Sequence, residues 1–340
     1  MNTYFRRPRG AWIRVLLVLS VSVAAALVAF SGLASATTKT TVSVASPAAT
    51  PAFDKNLLKY DPRLFALLPP RIQKSKEVIF AAVWETPPII AVNPKDTRVP
   101  VGLTPDLAAV VSRILGIKAV WKNLQWPAQL PGVASGNADV LWGQISATKE
   151  REQSIVDLIS WAQSPWGMLL AAGNPRKVTS LADACGLRIA VPTGSGQEKI
   201  VAGNNAAFCS GPGKTPMKTV ALPGAQSAVV AIKAGTADVW LDSSPSIEAI
   251  VKAQPNDYTS VIIPNAQITP YHSNILGVAV SKLQPGLTTA IHAALKRIAA
   301  PGGPYPNLMK KWGVTSGIMQ PKHIKINIFT GLRAGKIAAQ

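Results

Sequence analysis

A chain of 340 residues, 48% hydrophobic and only 15% charged, can bury one large or two ordinary cores, which excludes a disordered protein. Its formal charge of +19 would suit nucleic acid, an anionic membrane or an acidic wall polymer. No run of five basic residues and no zinc, helix-turn-helix or RNA-binding signature accompanies that charge, so no nucleic acid partner is expected and a solvated basic surface is preferred.

Residues 1–36 open with Arg6, Arg7, Arg9 and Arg14, run through an apolar stretch and end in Ala34-Ser35-Ala36. That is the pattern of a secretory signal peptide cut after Ala36, although the apolar stretch is also long enough to act as an uncleaved membrane anchor. Either way the remainder is extracytoplasmic, in the periplasm or cell-wall space. Without the four leader arginines its charge is still +15. Residues 37–55, rich in Thr, Ser, Ala and Pro, read as a disordered linker, with folded sequence from near Leu57.

The spacing then predicts a buried strand over 77–84, stopped by Thr86-Pro87-Pro88. A helix over 104–115 has Thr104 as N-cap, Pro105 at its first position and Gly116 as its stop. A strand over 119–122, a helix over 127–135 and a strand over 138–142 follow. Strands alternating with helices in this way imply βαβ units. The rhythm restarts with strands over 187–191 and 218–222, a helix over 225–234, a strand over 237–241 and a helix over 245–253. Apolar strands over 167–172 and 275–280 flank this second set and would serve as the connections of a hinge. The fold class is therefore α/β, with two lobes, each a βαβ-based mixed sheet flanked by helices, joined by two hinge strands around a cleft. The expected divisions are lobe 1 over 56–172 and 275–325, lobe 2 over 173–274, and a basic tail over 326–340.

Two cysteines in an exported chain, Cys185 and Cys209, argue for one disulfide bond, worth about 3 kcal/mol for a loop of this size. The other reading is two buried thiols. His272, His292 and His323 are far apart and make no ligand spacing with a cysteine, so no metal and no cofactor is expected.

Five stretches in order carry a resemblance: VGLTPDLAAVVSRILG, WPAQLPGVASGNADVLWGQISATKERE, LRIAVPTGSGQEKI, GAQSAVVAIKAGTADVWLDSSPSIEAIV and YPNLMKKWGV. From about Leu57 to Met319 the chain resembles family 3 of the extracytoplasmic solute-binding proteins, the receptors of ABC importers for polar amino acids. Members have the type II periplasmic binding protein fold. The LLPPRIQKSKEV stretch and the cysteine pair resemble actinobacterial members in particular. The resemblance implies a monomer that takes up an amino acid and delivers it to an ABC permease in the membrane.

It also implies a site. Arg151, at the end of the T-x-E-R turn, would grip the ligand's α-carboxylate, for which a guanidinium offers a matching fork; on the residues alone a surface pairing with Glu150 or Asp157 is the simpler reading. Gln144 and Ser146 would assist it. The TGSGQ turn, with Ser195 and Gly196, would open a second-lobe helix toward the anion, or be a plain tight turn. Asp242 would take the α-ammonium, or else cap the following helix. Trp126 would pack on the ligand side chain.

Departures from the family pattern fall at Thr86, where an aromatic is usual, and at Gly196, where a hydroxyl residue is usual. Trp84, Trp142, Trp161 and Trp166 are further candidates for an aromatic wall, with Glu85 as a partner for a cationic side chain, or ordinary core. The same fold hosts periplasmic enzymes of the cyclohexadienyl dehydratase type. Here no histidine lies in any cleft motif and no paired carboxylates are spaced for catalysis, so an enzyme is not expected. A wall-tethered sensor module is the remaining alternative, motivated by the basic tail.

Overall fold

The computed structural model describes residues 54–336 of the chain. The expected signal, and the linker up to residue 53, lie outside the described residues. Asp54 and Lys55, assigned to that linker, are instead part of the fold: Asp54 caps the turn Lys55–Leu58 and donates its backbone N–H to the Gly302 carbonyl at 3.1 Å. Among the described residues no helix is long and apolar enough to cross a membrane.

Two five-stranded mixed sheets dominate. In the first, Glu77–Ala82 lies between Lys118–Asn123 and Val140–Leu141, parallel to both, and Ile275–Ser281 and Val156–Gln163 complete the far side antiparallel. In the second, Arg188–Pro192 is flanked in parallel by Lys218–Leu222 and Val239–Ser243, while Trp166–Ala171 and then Tyr258–Ile262 are added antiparallel. Helices cover both sheets, giving the two-lobed α/β fold.

The boundaries differ from those expected. Trp166–Ala171 pairs with Val239–Ser243 and Tyr258–Ile262, so it belongs to the second lobe and not to the first. Ile275–Ser281 is integral to the first sheet. The crossings are thus short segments outside these strands, at 164–165 and 263–274, clasped by Ser164 N–H donating to the Asn274 carbonyl at 2.7 Å and Ile263 N–H donating to Trp166 at 2.9 Å.

Local signals act as the sequence suggests in most places. Apolar residues at helical spacing bury one face of Leu103–Leu115, and Gly116 ends that helix with a left-handed φ of 66°. Its start is different: Gly102 is the N-cap, and the buried Thr104 hydroxyl donates to the Ile89 carbonyl at 3.2 Å. At Gly102, φ is 144° and a Cβ would fall 2.5 Å from the Ile89 oxygen, so only glycine fits. Trp142 and Trp161 are fully buried and meet edge to face in the first-lobe core, with Phe80 beside Trp142. Trp84 is also buried, against Ala82 and Ile90. These three tryptophans are core. A disulfide joins Cys185 to Cys209 in the second-lobe core.

Residues 326–336, expected as a basic tail, pack against the first lobe. Val156–Gln163 is an edge strand, and the segment runs along it: Ile326 bridges Ile159, and Asn327 exchanges bonds with Leu158 through its backbone N–H at 2.8 Å and its side-chain oxygen at 3.0 Å. Two buried acids anchor it. Asp157 pairs with Lys282 at 2.9 Å and accepts from Asn327 Nδ2 and the Gly335 N–H. Glu152 accepts from the Phe329 and Thr330 N–H groups and from the Thr330 hydroxyl. The charges that suggested a solvated tail sit on a strap whose Ile324 and Asn327 are buried.

Candidate functional site

Between the lobes lies a cavity that is partly open to solvent. Of the nine ligand-site residues picked out above, Thr86, Trp126, Gln144, Ser146, Arg151, Gly196 and Asp242 line it. Glu85 and Ser195 are not among its lining residues. Trp166 joins Trp126 as the second tryptophan in the wall.

Arg151 comes from the short helix Lys149–Gln153, whose N-cap Thr148 accepts the Arg151 N–H. Its guanidinium donates from Nη1 to the Ser146 carbonyl at 2.7 Å and lies over the Trp126 ring, 5.1 Å from the centroid. Burial pulls its pKa down to about 10, with Glu150 opposing, so it remains a cation at neutral pH. The simpler reading, pairing with Glu150 or Asp157, does not hold: Glu150 pairs with Lys199 and Asp157 with Lys282. Among the described residues no carboxylate forms a salt bridge with Arg151.

Asp242 is the penultimate residue of the strand Val239–Ser243 in the opposite lobe. It is 8% exposed and accepts the Ser243 N–H at 2.6 Å. Desolvation drives its carboxyl up to about 7, and among the described residues no cation pairs with it. Helix capping is not its task, because Ser243 holds the N-cap position of Ser244–Ala253.

Three contacts hold the lobes together around the cavity. Gln144 Nε2 donates to Ser246 Oγ, Glu150 pairs with Lys199, and the Gln226 N–H approaches Glu85 Oε2 at 3.5 Å. Glu85 also accepts from Gln125 Nε2 at 3.2 Å. It therefore acts as a clasp onto the helix Ala225–Lys233 and not as part of the wall. Ser195 is the N-cap of Gly196–Phe208, with its hydroxyl buried and without a hydrogen-bond partner among the described residues.

Sequence reasoning missed His272. It lies in the second crossing segment, which carries no periodicity, yet it lines the cavity. Its ring meets Trp166 edge to face at 5.5 Å and packs so closely on Gly196 that a Cβ there would come within 2.2 Å of it. Burial, with Arg151 and Lys199 nearby, pushes its pKa down to about 4, so it is neutral. The one available signal was Gly196 itself: a glycine at a position where the resemblance implies a hydroxyl residue leaves room for another group to fill the space. No cleft motif holds a histidine, as expected, but the crossing segment brings one in.

A mixed-sheet, two-lobed chain with a charged interlobe cavity is a ligand-trapping fold, and known proteins agree with that class. Residues 78–315 match the bacterial extracellular solute-binding proteins, family 3, and the chain belongs to that family. It is 24% identical over 221 residues to the arginine-binding protein ArgT of Corynebacterium glutamicum, across 64% of this chain and 69% of that one. A solved ancestral arginine-binding protein, bound to arginine, has a similar fold, with a TM-score of 0.61 and 22% identity over 70% of this chain and 98% of that one. So does the substrate-binding protein of an amino acid ABC transporter, at a TM-score of 0.60 and 19% identity over 69% and 98% of the two chains.

Proposed function

We propose that this chain is the extracytoplasmic receptor of an ABC importer, exported by its N-terminal segment, which captures an amino acid or related small zwitterion by lobe closure and delivers it to a membrane permease. The observation that carries this reading is the pair Arg151 and Asp242: a half-buried guanidinium and a buried carboxyl, both without an ionic partner among the described residues, one from each lobe of a single cavity. A carboxylate on the Arg151 fork and an ammonium on Asp242 would neutralise both at once. In the open form the ligand docks on Arg151, with Gln144 and Ser146 beside it. Closure then brings Asp242 and the start of the Gly196–Phe208 helix onto it. Amino-acid ligands in the names of its relatives support this reading.

The test is titration calorimetry against the twenty amino acids, followed by Arg151→Ala. Removing one partner of a desolvated pair costs about 3 to 5 kcal/mol, so binding should disappear. Unchanged affinity in that variant sinks the carboxylate assignment.

A second reading, an enzyme of the dehydratase type, gains from finding His272 and Asp242 in one cavity. The receptor reading is preferred because the relatives are named as arginine-binding and amino-acid transporter substrate-binding proteins. Mass spectrometry of arogenate-like and prephenate-like acids incubated with the protein separates the two: product in excess over protein means catalysis.

A further inference from the structure

We infer that the cavity selects an amino acid whose side chain carries no charge. This rests on the zwitterion reading of Arg151 and Asp242. Those two residues are the only Asp, Glu, Lys or Arg among the residues lining the cavity, and His272, the only other titratable group there, is neutral. Once the ligand's carboxylate has met Arg151 and its ammonium has met Asp242, no charge is left in the wall for a third ionic group.

What remains is apolar surface from Val83, Trp166, Pro223 and Leu276, with neutral amides at Gln197 and Asn274. The charged groups nearby are already engaged. Glu85 is engaged by Gln125 and the Gln226 N–H and packs on Gly224, whose Cβ, if present, would meet the Glu85 carboxylate at 2.7 Å. Glu150 and Lys199 neutralise each other. A guanidinium or side-chain carboxylate trapped by closure would lose its water and gain no counter-ion, a cost that far exceeds the loss on replacing it by a neutral group of the same shape. The arginine of the relatives' names is therefore the wrong ligand class for this wall, although the head-group pair fits it.

The experiment compares isosteric pairs on the full exported chain by calorimetry: arginine with citrulline, glutamate with glutamine, lysine with 2-aminoheptanoic acid, alongside leucine and phenylalanine. The expected result is binding by one or more neutral ligands, with any charged member weaker than its neutral partner by about tenfold or more. Arginine, lysine or glutamate binding as tightly as its isostere overturns the inference while leaving the zwitterion reading intact. Binding by no amino acid overturns both, and no ligand of the panel can then be assigned to the cavity. Glu85→Gln supplies a second readout. Loss of the clasp would lower both affinities together, so the ratio of arginine to citrulline affinity should not move; a selective fall for arginine would show Glu85 reaching the ligand and would overturn the inference.

Discussion

The His272 ring occupies the volume that a side chain at residue 196 would need: a Cβ on Gly196 would lie 2.2 Å from the imidazole Cε1. Gly196 opens the helix Gly196–Phe208 in lobe 2, whereas His272 sits on the crossing segment, so the contact fixes the helix start against the hinge. Gly196→Ala should therefore destabilise the protein by about 1 to 3 kcal/mol, the usual cost of overpacking a filled site. His272→Ala in the same chain should restore much of that loss. Thermal unfolding of the two single variants and the double variant gives the coupling directly, and additive losses would show that the two positions are independent.

Arg151 and Glu152 are neighbours on one short helix, yet Arg151 faces the cavity and Glu152 is buried against the strap, where it accepts three hydrogen bonds from Phe329 and Thr330. Ending the chain at Gln320 leaves that carboxylate without those donors. Each such bond to a charged group is worth about 1.5 to 3 kcal/mol, so the truncated protein should lose several kcal/mol of stability and bind ligand more weakly as the Lys149–Gln153 helix loosens. Thr330→Val is the milder form and should cost about 1.5 to 3 kcal/mol. Full affinity and an unchanged melting temperature after truncation would return the segment to the status of a tether.

How much of this was legible depended on where each residue's partner lies. Leu103–Leu115 and the second-lobe strands Arg188–Pro192 and Val239–Ser243 announce themselves through local periodicity and glycine stops, whereas the edge strand Tyr258–Ile262 went unread. Val156–Gln163 does not: its first seven residues are buried, so there is no alternation to read, and its polar Asp157 and Ser160 bond to Lys282, Asn327 and Lys325, far along the chain. The strap misled for the same reason, since its lysines are visible in sequence and its partners are not. In the site, Arg151 and Asp242 were found through ordered motifs, whereas His272 belongs to no motif and is defined by the empty position at Gly196.

The disulfide closes a 24-residue separation between the turn Leu181–Ala184 and the end of the helix Gly196–Phe208. Restricting the unfolded chain by a loop of that length contributes about 3 kcal/mol. Changing both cysteines to alanine should lower the melting temperature accordingly, with a further loss because Cys209 is wholly buried. Denaturant unfolding with and without reductant measures the first part alone, and equal stability in both would remove the disulfide from the account.

Asp242 predicts a pH dependence with a definite sign. Its carboxyl titrates near 7 in the folded chain and near 3.8 when unfolded, so between those values the folded state holds the proton more tightly. Its contribution therefore makes the ligand-free protein less stable as pH rises from about 4 to about 7. His272, lowered from 6.5 to about 4, acts in the opposite sense and favours folding as pH rises through that window. A ligand ammonium needs the ionised carboxylate, so binding should release a proton near neutral pH, and affinity should fall below pH 7 toward tenfold per unit. Calorimetry at pH 6 and pH 8 in buffers of different ionisation enthalpy counts that proton. Asp242→Asn should abolish the release and most of the affinity. A proton count of zero in the unaltered protein at both values, with constant affinity, would mean that the ammonium is met by some other group in the cavity.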